Sequence, residues 1–164
     1  MGFRSACGAL LFAVLSLVGA PAWGGVQGIP MEAGAPMSDV FEALTGAGAI
    51  SEQLQVPLVL VFNHRGELAL TIRGRAPEGV LGQVTAALGD SNANQPEVGL
   101  EEVTSRFFPA TSSSRDGGAI LLITMEAALC APCKDLAAEF LGALATLLRE
   151  TEVLVYVLTI QRDR

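Results

Sequence analysis

A chain of 164 residues, 51% hydrophobic and only 5% aromatic, carries enough apolar content for one domain with its own core. Its formal net charge is -7, and its basic residues are scattered arginines plus the single lysine Lys134. No basic patch offers a footprint for phosphate backbones, so nucleic acid is set aside as a partner.

Arg4 precedes a nearly unbroken apolar run from Ala6 to Ala20, and Ala20-Pro21-Ala22 has the small-x-small form of a cleavage site. Residues 1–22 are therefore read as a secretory signal, cut after Ala22 or Gly24, that sends the chain to the periplasm or out of the cell. The run is shorter than the roughly 20 residues a spanning helix needs; an uncleaved membrane anchor is the competing reading. Neither Cys7 nor Met1-Gly2 fits a lipidation motif. Cleavage removes Cys7 and leaves Cys130 and Cys133 as the only cysteines. In an oxidising compartment two thiols this close either form a short disulfide or cycle through one. So small a loop constrains the unfolded chain little, which makes a purely stabilising staple the poorer explanation.

Gly24 to Pro36 is Gly- and Pro-rich without periodicity and reads as a flexible lead-in, with order expected from Met37. Ser38 is the expected N-cap of a short helix through Leu44, with Val40, Phe41 and Leu44 on one face and Gly46 and Gly48 ending it. Pro57 to Asn63 is valine-rich, Glu67 to Arg73 alternates, and Asn63-His64-Arg65-Gly66 supplies turn chemistry, so a β-hairpin is predicted. Pro77 suits a first helical turn, and Val80, Leu81, Val84 and Leu88 form a helical stripe ending at Gly89.

Ser91 to Gly117 is polar and turn-rich; apart from one or two helical turns within Leu100 to Phe108 it reads as a connector. Ala119 to Met125 is a continuous apolar strand of the kind buried on both faces. Cys130 to Arg149 follows as a helix with Leu136, Phe140, Leu144 and Leu147 or Leu148 toward the core. Val153 to Ile160 is a second buried strand, completing a βαβ unit. Neither a fixed-period repeat nor a phosphate loop is present.

At Gly118-Ala119-Ile120-Leu121-Leu122 followed by Cys130-Ala131-Pro132-Cys133-Lys134, the sequence resembles the thioredoxin family, whose active site is a strand, a loop, C-x-P-C-K and a helix. Val56-Pro57 before Leu58 to Phe62, the turn at Gly66-Glu67 and Ile72-Arg73-Gly74 look like that family's second signature, a cis-proline opening a strand, a hairpin and a glycine before the last helix. In thioredoxins the cysteine half comes first, whereas here it follows, so the resemblance implies a circular permutation. The implied fold is α/β and thioredoxin-like, a central mixed four-stranded sheet flanked by helices, spanning 37–164 as a cis-proline half (37–90), a connector (91–117) and a C-x-x-C half (118–164). The spatial order would be Val153 to Ile160, Ala119 to Met125, Leu58 to Asn63, Glu67 to Arg73. Because the valine-rich strand and the apolar strands of the βαβ unit each need covering on both faces, Leu58 to Asn63 is expected parallel to Ala119 to Met125. Leu129, Thr124 and Val157 stand where family members have a tryptophan, a buried acid and a lysine, so the usual proton relay is missing.

A cysteine at a helix start meets unpaired N–H groups and the positive end of the helix dipole, which favour thiolate and make Cys130 the expected nucleophile. Cys133, one turn inward, is placed to resolve its mixed disulfide, and Pro132 breaks no helical bond in a first turn. Val56, Pro57, Ala131 and Pro132 are the expected substrate contacts, with Val56 offering its backbone to an extended chain once Pro57 is cis. The competing readings are an inert disulfide, half of a zinc site, and, for Pro57, an ordinary trans proline opening an edge strand. No second C-x-x-C exists and the only histidine is the turn residue His64, to which no role is assigned, so neither metal nor cofactor is expected. Glu126 is either a substitute proton carrier or a solvated strand-end carboxylate.

The function implied is exchange of disulfides with protein thiols of exported proteins, through a soluble or membrane redox partner. The alternative is a thioredoxin-fold binding module of a cell-envelope assembly without redox turnover.

Overall fold

The computed structural model describes residues 31–161 except 76, 109–116, 127–128, 137–139, 141, 143 and 145–151. The signal segment and its cleavage site, Leu147 and Leu148 lie outside the described residues.

Six strands form one mixed sheet: β1 (Met31–Pro36), β2 (Leu58–Phe62), β3 (Glu67–Arg73), β4 (Gln95–Gly99), β5 (Ala119–Met125) and β6 (Leu154–Gln161), in spatial order β1-β6-β5-β2-β3-β4. Around it lie α1 (Met37–Gly46), α2 (Val80–Gly89), the short α3 (Leu100–Thr104) and α4, whose described helical residues are 131–136, 140, 142 and 144. Among the described residues no helix is long and apolar enough to cross a membrane.

β2 is apolar at every position and β5 at every position but Thr124, because the sheet is covered on both faces. Leu58, Leu60, Phe62, Leu121, Ile123, Tyr156 and Leu158 point to one side, where Val40 and Leu44 of α1, Val103 of α3 and Val98 meet them. Val59, Val61, Ile120, Leu122 and Val155 point to the other, against Val84 and Leu88 of α2 and Leu136, Phe140 and Leu144 of α4. The period-2 alternation of strand side chains thus divides one apolar run between two cores.

The four expected strands are neighbours in the expected order, but two more extend the sheet. Met31–Pro36, read as part of a flexible lead-in, is β1 and pairs in parallel with β6, Met31 opposite Tyr156 and Pro36 opposite Gln161. Within the expected connector, Gln95–Gly99 forms β4, antiparallel to β3 at Glu67 and Leu68. Both are edge strands, where Pro36 and Pro96 are tolerated because a missing N–H can face away from the sheet.

A further correction concerns direction. β5 and β6 are parallel, but β2 runs antiparallel to β5, with Leu58 opposite Ile123 and Phe62 opposite Ala119. Burial on both faces, the basis of the parallel expectation, comes from helices on both sides and does not fix direction. Two helix starts also differ. Pro36 is the N-cap of α1, while Ser38 lies inside it with its hydroxyl donating to Asp39 Oδ1 at 3.5 Å. Pro77 precedes α2, its carbonyl accepting the Val80 N–H at 3.2 Å.

The hairpin turn is built on Asn63, which is only 1% exposed. Its Oδ1 accepts the N–H groups of Arg65 and Glu67 at 2.9 and 3.0 Å, and its Nδ2 donates to Asp90 O at 3.0 Å and Glu67 Oε2 at 3.2 Å. One short side chain therefore closes the turn and ties it to the end of α2.

Candidate redox site

The β5 strand ends at Met125, and the chain passes Glu126 to reach Cys130, immediately before the helical residues of α4. Leu129 donates its N–H to Glu126 O at 2.8 Å, a tight turn that brings the backbone round toward the helix. Cys130 and Cys133 are joined in a disulfide, with their Cα atoms 5.3 Å apart. The N–H of Cys133 donates to Cys130 O and approaches Cys130 Sγ, both at 3.2 Å, while the Lys134 N–H reaches the same carbonyl at 3.4 Å. Of these amides the Cys133 N–H is the one that reaches the sulfur, and a donor placed there at a helix start favours negative charge on it.

Burial separates the two sulfur residues. Cys130 is 9% exposed and Cys133 2%, whereas Ala131 and Pro132 between them are exposed. Cys130 is therefore the more accessible residue of the pair. Leu136, three residues after Cys133 on the same helix, is part of the core on that side of the sheet.

The Val56-Pro57 peptide bond is cis, with Pro57 buried and Val56 half-buried. The Gly74 N–H donates to Pro57 O at 2.8 Å, clamping the strand entry to the end of β3. Because β2 is antiparallel to β5, the start of β2 and the end of β5 share one end of the sheet, so Val56-Pro57 and the Cys130 turn emerge there together. A parallel arrangement would have put them at opposite ends.

Leu129 is 43% exposed and one of three large hydrophobic side chains so exposed among the described residues, with Met37 and Phe41. Thr124 is half-buried, its hydroxyl donating to Met125 O at 3.2 Å, and Val157 is half-buried on β6. Neither supplies an ionisable group beneath the cysteines. Glu126 is exposed and His64 is exposed in the hairpin turn, at the opposite end of β2 from Pro57. Among the described residues no group of three or more His, Cys, Asp or Glu side chains is arranged to hold a metal ion.

The sequence reading did not single out Asn63 or the clamp between Gly74 and Pro57. The polar run Asn63-His64-Arg65-Gly66 signals a turn, but the bond from Asn63 to Asp90 O spans 27 residues and leaves no local trace. Compared with protein-family models, curated proteins and solved structures, the chain matches none.

Proposed function

We propose that the chain is an exported, permuted thioredoxin-like thiol:disulfide oxidoreductase, working in the periplasm or outside the cell. The observation that carries the reading is the Cys130–Cys133 disulfide at the start of α4, with the more exposed cysteine facing the helix-start amides. In the oxidising direction a partner thiolate attacks Cys130 Sγ, the Cys130–Cys133 bond breaks, and Cys133 leaves as a thiolate that takes up a proton. A second partner thiolate then attacks the partner sulfur of the mixed disulfide, forming the partner disulfide and expelling the Cys130 thiolate. Reduction is the same sequence reversed, and the relative potentials of the two pairs set the direction. The half-buried backbone at Val56 lies at the same end of the sheet, where an extended partner chain has a strand end to pair with.

Replacing Cys133 with Ser removes the resolving thiol, and the variant should accumulate mixed disulfides through Cys130 with exported thiol proteins. A Cys130→Ser variant should accumulate none. If Cys133→Ser captures no partner by non-reducing electrophoresis and mass spectrometry, the redox reading fails. The surviving one is then the binding module, which is favoured by Leu129, Thr124 and Val157 standing where the resembled family has a tryptophan, an acid and a lysine.

A further inference from the structure

The outer side of β3 carries main-chain groups that β4 does not reach. The ladder contact from Gly74 N–H to Pro57 O fixes the alternation: two residues back at each step, Ile72 and Leu70 turn their N–H and C=O groups toward β2, opposite Val59 and Val61. Ala69, Thr71 and Arg73 consequently turn theirs outward. Asn94 bears this out, since its Nδ2 donates to Ala69 O at 2.6 Å from the outer side and takes the place of a strand donor there. β4 pairs with β3 only at Glu67 and Leu68. Among the described residues the edge at Thr71 and Arg73 is therefore open, an N–H and a C=O at each of two alternate residues.

An open cleft of about 450 Å³ lies along this edge, walled by Ala49, Thr71, Arg73, Asn94 and Gln95. Arg73 lines it and Arg75 follows two residues on along the chain; both are exposed and neither is in an ion pair among the described residues. The geometry points to strand addition at β3 by an extended, carboxylate-bearing segment of another protein, its backbone pairing with Thr71 and Arg73 and its acidic side chains meeting Arg73 and Arg75.

Two physical points select that occupant. A second copy pairing antiparallel through the same short edge would set Arg73 opposite Thr71 and leave the two Arg73 side chains as diagonal neighbours on one face, where like charges repel. An apolar strand would meet the same arginine, a residue type that guards sheet edges against indiscriminate pairing. An acidic strand gains both the ladder bonds and two charge-assisted contacts. The edge belongs to β3, which β2 separates from β5, and does not depend on the redox reading.

The test uses the mature chain with its disulfide intact and, as probe, a labelled heptapeptide alternating Glu and Val; the counter-probe alternates Lys and Val. Binding of the Glu probe should slow amide exchange at Thr71 and Arg73 at least about fivefold and leave the buried β5 amides unchanged. N-methylating the probe on the register facing β3 should abolish the effect, and methylating the other register should spare it. The double substitution Arg73→Glu with Arg75→Glu, at two exposed positions, should weaken the Glu probe at least about tenfold. Equal binding of the Lys probe, or no slowing at Thr71 and Arg73, overturns the inference. So does slowing that grows with protein concentration in the absence of probe, since that result would assign the edge to a second copy.

Discussion

Leu58 lies directly opposite Ile123 across the antiparallel β2–β5 ladder, and that pairing decides where the chemistry-bearing segments meet. From Leu58 the chain runs back into Pro57 and Val56; from Ile123 it runs forward through Met125 to Cys130. A strand pair buried on both faces has little freedom to slip, because a one-residue shift would turn Val59 and Leu122 away from α2 and α4 and into the opposite core. Packing of the two cores thus holds Pro57 and the cysteine turn at one end of the sheet.

Asn63 should be the most sensitive polar position in the first half of the chain. Its side chain, itself buried, satisfies two backbone N–H groups and donates to Asp90 O and Glu67 Oε2 in a part-buried turn. Asn63→Ala is expected to lower stability by about 2–3 kcal/mol, because removing one partner leaves the others desolvated and unpaired. Asn63→Asp keeps the acceptor, loses both donors and sets a second carboxylate beside Glu67. Its destabilisation should be partly relieved by Glu67→Gln. Urea midpoints of the single and double variants check both statements.

Gly118 should tolerate no side chain. Its φ is +80°, and an added Cβ would lie 2.6 Å from Phe62 O and 2.9 Å from Leu88 Cδ2. Both the backbone conformation and the overlap act in the same direction, so Gly118→Ala should cost about 2–4 kcal/mol. Gly82, exposed in the first turn of α2, has nothing within 4 Å of the corresponding Cβ. Gly82→Ala should raise stability by about 0.5–1 kcal/mol. Thermal melts of the two variants should move in opposite directions.

These positions also show what the amino-acid order reveals. The hairpin, α2, β5 and β6 are legible because each carries a strong period: Val84 and Leu88 one helical turn apart, and Ala119–Met125 or Leu154–Gln161 as apolar runs of strand length. β1 and β4 are not legible, since Met31–Pro36 and Gln95–Gly99 are short, contain Pro and Gly, and have almost no β-branched residues. They are strands because β6 and β3 offer pairing edges, a tertiary cause that leaves no period behind. The direction of β2 against β5 is hidden for the same reason. The site fares similarly: Cys130, Pro132 and Cys133 stand out by spacing alone, whereas the contact of Gly74 with Pro57 and the open edge at Thr71 exist only after the hairpin is assembled.

The exposed ion pair between Arg106 and Glu42, 3.3 Å long, joins the end of the α3 region to α1 but should contribute little. Its side chains are 45% and 73% accessible, where solvent screens the attraction and ordering two flexible chains opposes it. Glu42→Gln should shift the urea midpoint by an amount equivalent to less than about 0.5 kcal/mol. A larger change would mean that α1 is held by charge more than by Val40 and Leu44, which are fully buried.

The order of thiol reactivity after reduction is the sharpest consequence of the site's geometry. Cys130 precedes the first helical residue, receives the Cys133 N–H at its sulfur at 3.2 Å and is the more accessible of the two. Cys133 lies one turn into α4 at 2% exposure, with Leu136 and Phe140 further along the same helix in the core. Helix-start amides favour the thiolate of the first cysteine, while burial disfavours charge on the second. In the reduced protein near neutral pH, iodoacetamide should therefore modify Cys130 at least about tenfold faster than Cys133, measured as site-resolved rates by peptide mass spectrometry. The Cys133→Ser and Cys130→Ser variants, each with one thiol, separate accessibility from competition between the pair. Their rates should keep the same order, and denaturation in urea should bring them together, because both advantages of Cys130 come from the fold. Equal rates in the folded single-thiol variants would show that the start of α4 confers no activation on Cys130, and the assignment of nucleophile and resolving thiol would have to be abandoned.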